Sequence, residues 1–216
     1  SPFYEHAFVG GNAYILGILG RFGDELGVTA TQDQFEEKQA SVVEQLQRRT
    51  ATVSLEEIGL SDSQLTATVV VSSFVGHKFP AGFPSRRAWV HLVVKDASGN
   101  VVFESGAANA DGLITGDDHD ADPAHFEPHY TVIETADQVQ IYQSIMVDLS
   151  GNVTTVLLKG AGYIKDNRLL PSGFDKAAVG SDIAVYGAAA GDEDFSGGGD
   201  KIRYQIDIGD AQGPFT

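Results

Sequence analysis

The chain has 216 residues, a formal net charge of −16, no cysteine and one methionine. Its length suffices for one sizeable core, and the lack of cysteine excludes disulfides, thiolate zinc sites, iron–sulfur clusters and covalently attached c-type haem. The negative charge disfavours nucleic-acid binding, because a polyanion repels phosphate backbones. Any site for a soft or borderline metal must therefore rely on the six histidines.

The first fifty residues predict two helices. Between residues 12 and 27, apolar side chains recur at spacings of three and four, which is typical of a short amphipathic helix. Thr31 and Gln34 then form a capping-box pattern, and a second helix is expected to continue to about Arg49. We expect this helical segment, residues 1–50, to pack on a β domain.

After Thr50 the apolar pattern becomes that of short strands joined by turns. The clearest hairpin has the sequence DASGN, residues 96–100, as its turn. Because no helices alternate with the strands, we predict a mainly β fold with a single domain over residues 1–216. We expect an antiparallel sandwich or a partly open barrel with long loops. The predicted strands are 51–58, 64–74, 88–95, 101–105, 130–134, 138–148, 152–159 and 202–208.

The third predicted strand carries the most distinctive pair of side chains. Alternation along it places Val90, Leu92 and Val94 on one face and Trp89 and His91 on the other. The last two are then neighbours about 7 Å apart, given the ~3.3 Å rise per residue of a strand. Such a pair suits a metal site, and it equally suits a packed tryptophan beside a histidine at the rim of the sheet.

Residues 117–130, DDHDADPAHFEPHY, predict a polar loop with three more histidines, His119, His125 and His129. Pro128 argues against a helix across the last two, so their spacing of four does not predict a shared helix face. The loop is either a source of a second imidazole for the strand's polar face or a solvated surface segment.

Within the same loop, Asp118, Asp120 and Asp122 alternate in a pattern that suits a hard cation bound through oxygen. The run is not an EF-hand, because Pro123 and His129 stand where that loop needs Gly and Glu. A structural Ca²⁺ is one candidate for this segment, and a solvated acidic loop is the other. Elsewhere the sequence has no nucleophile elbow, P-loop, zinc-protease or dinucleotide motif, so no enzyme class is predicted.

Three stretches together resemble a known family: HAFVGGN (6–12), GHKFPAGFPSRRAWVHLVVKDASGNVVFESG (76–106) and DHDADPAHFEPHY (118–130). They are similar to the cysteine-free C-terminal regions of a group of multihaem c-type cytochromes. They resemble more closely the surface-associated copper-binding proteins of methane-oxidising bacteria, the MopE and CorA type. The resemblance covers most of the chain, and the Trp-x-His pair on a strand is its most specific feature.

The resemblance implies one mononuclear copper ion, held as Cu(I) by two histidines and an oxidised tryptophan, kynurenine, whose amine is a ligand. Carried over to this sequence, it makes Trp89 the kynurenine precursor and His91 a ligand. It takes the second histidine from the downstream loop, as His129 or alternatively His125. Few-coordinate nitrogen sites suit Cu(I), and imidazole is a good copper ligand.

We therefore expect a copper-binding protein for copper acquisition, and not an enzyme. Its expected location is the cell surface, on the outer face of the outer membrane, or the medium, after removal of a signal peptide. We expect a monomer that does not span the membrane. The alternative is an accessory electron-transfer domain that docks a c-type cytochrome or a cytochrome c peroxidase, and a copper oxidoreductase is a third hypothesis.

Overall fold

The structure is a computed structural model that describes residues 8–61 and 63–216. It divides into two compact units, Ser1–Thr52 and Val53–Thr216. About 30% of the chain is strand and 20% helix, and the several antiparallel sheets do not close into a barrel. The prediction of a mainly β fold is therefore confirmed. Over the described part of the chain, no helix has both the length and the apolar character needed to cross a bilayer.

The first unit contains three helices in its described residues: α1 (Ala13–Arg21), α2 (Gly23–Leu26) and α3 (Gln32–Arg49). The first predicted helix is thus two helices, broken at Phe22. The predicted capping box of α3 is present, because Thr31 and Gln34 each accept the other's backbone N–H. His6 lies outside the described residues.

Helices α1 and α3 pack closely because α1 presents glycine to α3. A Cβ atom on Gly20 would lie only 3.1 Å from the Cβ atom of Phe35, which is buried. Near the other end of the pair, the Gln39 side chain donates a hydrogen bond to the Ala13 carbonyl at 2.9 Å. The packing of this helical unit on the β unit stays a prediction.

Within residues 8–61 and 63–216, the strands begin at Ala51 and form four sheets. The first sheet has the order β1, β2, β11, β6, and the second has the order β10, β8, β9. Two further pairs are β3 with β7 and β4 with β5. One short helix, α4 (Asp118–Ala121), lies between β5 and β6. The bounds are β1 (Ala51–Ser61), β2 (Gln64–Ser73), β3 (Ala88–Trp89), β4 (Leu92–Lys95), β5 (Val101–Ser105), β6 (Val132–Ile133), β7 (Ile141–Tyr142), β8 (Ser144–Val147), β9 (Val153–Thr154), β10 (Gly162–Asp166) and β11 (Gly199–Asp207).

The core of the second unit is built on the long antiparallel pair β2 and β11. Their register runs from Gly199 opposite Ser72 to Asp207 opposite Gln64. Alternate side chains of both strands are buried together, as expected for a sheet with one covered face. Val90 and Val94 join the same apolar cluster, so the strand that carries the Trp-x-His pair is anchored in the core.

The structure departs from the predicted strands in two places that affect the sites. The predicted strand 88–95 is split into β3 and β4, and strand β10 lies within the Gly- and Asp-rich region 160–202, where no strand was predicted. Strand β10 escapes a pattern search because its most buried residues are Lys165 and Asp166, which are polar.

Candidate functional site

The split between β3 and β4 arises from a change of partner strand. Trp89 is paired with Ile141 of β7, whereas Leu92 is paired with Ser105 of β5. The two residues between them belong to neither ladder, although the Val90 N–H still donates to the Gln140 carbonyl at 3.1 Å. The predicted alternation nevertheless holds, because the valines point into the core while the Trp-x-His pair faces solvent.

Trp89 and His91 line one open cleft with a volume of about 410 Å³. The Trp89 side chain keeps 38% of its surface exposed, and its indole N–H donates to the Gly106 carbonyl at 2.9 Å. The structure therefore brings together the two residues that the sequence placed on one face. The other lining residues are Arg87, Ala88, Gly106 and Ala108.

The wall of the cleft beside Trp89 requires glycine at position 106. Gly106 has φ of +80°, in the region that side chains with a Cβ atom rarely adopt. A Cβ atom there would clash with the Val90 carbonyl and would lie 3.2 Å from Cδ1 of Trp89. The position and exposure of the indole edge thus depend on this glycine.

Arg87 connects the cleft to the acidic loop. Its guanidinium donates to Asp117 at 2.5 Å and to the two carboxylate oxygens of Asp120 at 2.7 and 2.8 Å. Burial raises the pKa of Asp120, but hydrogen bonds from Arg87 and from the Ile114 N–H outweigh it and lower that pKa below its usual range. Because Arg87 also lines the Trp89–His91 cleft, the loop is held beside that cleft.

Two of the loop histidines are accessible. His119 lines a second cleft of about 270 Å³, which also contains Arg87. Its Nδ1 atom lies 2.9 Å from the His125 carbonyl, an acceptor, so Nδ1 carries a proton. His125 is exposed, and its Nδ1 atom lies 3.0 Å from a carboxylate oxygen of Asp122.

The alternating aspartates of the loop do not converge on one point. Both oxygens of Asp120 are bonded to Arg87, while Asp122 faces His125. Among the described residues, the one group of ligand atoms that lie within 4.8 Å of one another contains none of the three aspartates. The calcium site at Asp118, Asp120 and Asp122 stays a prediction, and Asp120 would have to exchange its contacts with Arg87 for the cation.

His129 lies in a different environment, inside the β unit. Its side chain is 1% exposed, and its Nε2 atom lies 2.9 Å from Asp192. Its Nδ1 atom lies 2.8 Å from the side-chain nitrogen of Gln140 and 3.1 Å from that of Asn167. His129 is not among the residues that line the Trp89–His91 cleft, so the structure does not bring it to His91.

The neighbouring amides determine which ring nitrogen of His129 carries the proton. The Gln140 side-chain oxygen accepts from the Tyr130 N–H, and that of Asn167 accepts from the Gln143 N–H. Both NH₂ groups therefore point at Nδ1, which must be an acceptor. It follows that Nε2 is protonated and donates to Asp192.

His129, Asp192 and Asp200 form a buried group whose ligand atoms lie close enough to share a cation. Asp200 Oδ1 is buried, lies 3.9 Å from the His129 Nε2 atom and has no hydrogen-bond partner among the described residues. Burial raises the pKa of the Asp200 carboxyl. A cation on the imidazole would have to displace the Nε2 proton while two amides still donate to Nδ1, which opposes metal binding by His129.

Sequence reasoning missed Asp192 and Asp200, which lie 63 and 71 residues after His129 in a segment with the composition of an acidic turn.

Comparisons with protein-family models, curated proteins and solved structures find no match for this chain. Among the described residues, the one imidazole that lines the Trp89–His91 cleft is that of His91, and the single thioether, Met146, is buried. An imidazole is a good ligand for copper, whereas the unmodified indole N–H of Trp89 can only donate a hydrogen bond.

Proposed function

We propose that this chain binds one copper ion in the Trp89–His91 cleft and serves copper acquisition at a cell surface or in the medium. The observation that carries the proposal is that the single tryptophan and a solvent-accessible histidine line the same cleft. A histidine placed in this way can accept a metal without disturbing the core, since Val90 and Val94 anchor the strand from its other face.

The proposed donor set consists of nitrogen atoms. Cu(I) accepts two or three such ligands, and an imidazole supplies one of them. The resemblance adds that Trp89 is oxidised to kynurenine. Dioxygen would cleave the C2–C3 bond of the indole, hydrolysis would release C2 as formate, and the indole nitrogen would become an aromatic amine. That nitrogen already lies at the cleft wall, 2.9 Å from the Gly106 carbonyl. In this proposal copper is the cargo, and the chain's own residues would hold and orient it.

We propose that the second imidazole comes from the accessible part of the acidic loop, as His119 or His125. The ring of His119 uses its Nδ1 atom in the contact with the His125 carbonyl, and its backbone N–H donates to Asp117, which also accepts from Arg87. His129 as the copper ligand stays a prediction, but its buried ring would have to abandon three hydrogen-bonding side chains to reach the cleft. His119 and His125 do not line the cleft in this structure either, but each ring has only one polar contact among the described residues to give up.

The test is a copper titration of the native protein against a competing chelator, with peptide mass spectrometry of the tryptophan-containing peptide. We expect one tightly held copper ion, its loss in His91→Ala, and a mass shift at Trp89 from tryptophan to kynurenine. The matched control is His77→Ala, because His77 is exposed and its ring contacts the Lys78 carbonyl outside the cleft. Unchanged copper binding in His91→Ala would overturn the proposal.

A further inference from the structure

The rim of the Trp89–His91 cleft carries a carboxylate, Glu104, that the copper proposal does not use. Its Oε1 atom lies 2.9 Å from the Nε2 atom of His91. The register of β4 and β5 pairs Glu104 with Val93, so Glu104 projects from the same face of the strands as the Trp-x-His pair.

Stability does not explain this contact. The side chains of His91 and Glu104 are 46% and 40% exposed, and an ion pair with that exposure contributes little to folding. The contact does, however, restrict the imidazole. A carboxylate can only accept, so it selects the form of the ring that carries its proton on Nε2.

We infer that Glu104 is a positioning residue that fixes the tautomer and orientation of His91 and thereby presents Nδ1 as the metal-binding nitrogen. This inference rests on the proposed function, because it assigns the copper-facing atom of the same site. Partners of this kind orient a ligating imidazole and raise its basicity. In the metal-free protein, they also remove the need to reorder an exposed ring when the metal arrives.

The first arm of the test needs no copper. Long-range ¹H–¹⁵N correlation spectra of the histidine rings in the metal-free protein report which nitrogen of His91 is protonated. We expect the Nε2-protonated form in the native chain, a mixture of forms in Glu104→Ala, and native behaviour in Glu134→Ala, a matched exposed glutamate. A native ring protonated on Nδ1, or identical spectra of the His91 ring in Glu104→Ala, would overturn the inference.

The second arm measures copper affinity of the same three proteins by chelator competition. We expect the affinity to fall roughly tenfold in Glu104→Ala, the low end of the effect of such partners, and to be unchanged in Glu134→Ala. Equal affinity in Glu104→Ala would reject the role of Glu104 while leaving the copper proposal intact. Absence of copper from the native cleft would reject the copper proposal, and the spectra would still decide whether Glu104 fixes the ring.

Discussion

Replacing His129 and His91 by alanine, one at a time, should have opposite effects on stability and copper binding. His129→Ala removes three buried hydrogen bonds, which the ring makes with Asp192, Gln140 and Asn167. It also leaves a cavity beside Phe195. Each orphaned buried polar group costs about 1–3 kcal/mol. Because such terms are not additive, we expect a total loss of about 3–5 kcal/mol.

His91→Ala should do the reverse. Its side chain is 46% exposed and its one hydrogen bond is to Glu104, so we expect the free energy of unfolding to change by less than about 0.5 kcal/mol. Copper binding, in contrast, should be lost. For His129→Ala, the expected loss of stability corresponds to a melting temperature that is lower by on the order of 10 °C for a unit of this size.

The assay is urea unfolding followed by circular dichroism, together with a copper titration of each folded variant. If His129→Ala is too unstable to purify, His129→Gln retains part of the hydrogen bonding and serves in its place. A His129 variant that keeps native stability but loses copper would refute the reasoning and support His129 as a ligand.

Three further outcomes follow from the same structure. Burial lowers the pKa of Lys165 to about 7, so the protonated form of its side chain is disfavoured in the folded state. The free energy of unfolding should therefore rise between pH 7 and pH 10.5, by roughly 5 kcal/mol at most. Urea unfolding of Lys165→Met should show a flatter dependence on pH than the native protein, and parallel profiles would contradict this. Gly106→Ala should displace the side chain of residue 89 through its clash with the Val90 carbonyl and should destabilise the unit by about 1–3 kcal/mol in urea unfolding, whereas native stability would argue against a tight wall. Arg87→Gln should free the acidic loop and speed hydrogen exchange of the Ile114 amide, which donates a hydrogen bond to Asp120 at 2.7 Å. Unchanged exchange would show that Arg87 does not order the loop.

Local patterns were the part of this structure that the sequence could predict. The capping box of α3 depends on two residues three positions apart, and the face shared by Trp89 and His91 depends on strand alternation alone. The hairpin around residues 96–100 is equally local, since Asp96 accepts the N–H groups of Ser98 and Asn100 within the turn. Each of these needs no knowledge of distant partners.

The features that were missed depend on contacts between distant segments. The break between β3 and β4 reflects a change of partner from β7 to β5, which no pattern within residues 88–95 records. The environment of His129 is set by Asp192 and Asp200, whose acidic, glycine-rich surroundings look like a solvated turn. Lys165 is buried because it donates to the Glu127 and Ile141 carbonyls, and a lysine in sequence gives no sign of such a role.

The most direct test of the central claim is an anomalous difference map at the copper absorption edge, from crystals of the copper-loaded protein. We expect one peak in the cleft beside the His91 ring and the side chain of residue 89. A peak at His129, Asp192 and Asp200, or the absence of any peak from the cleft, would contradict the proposal.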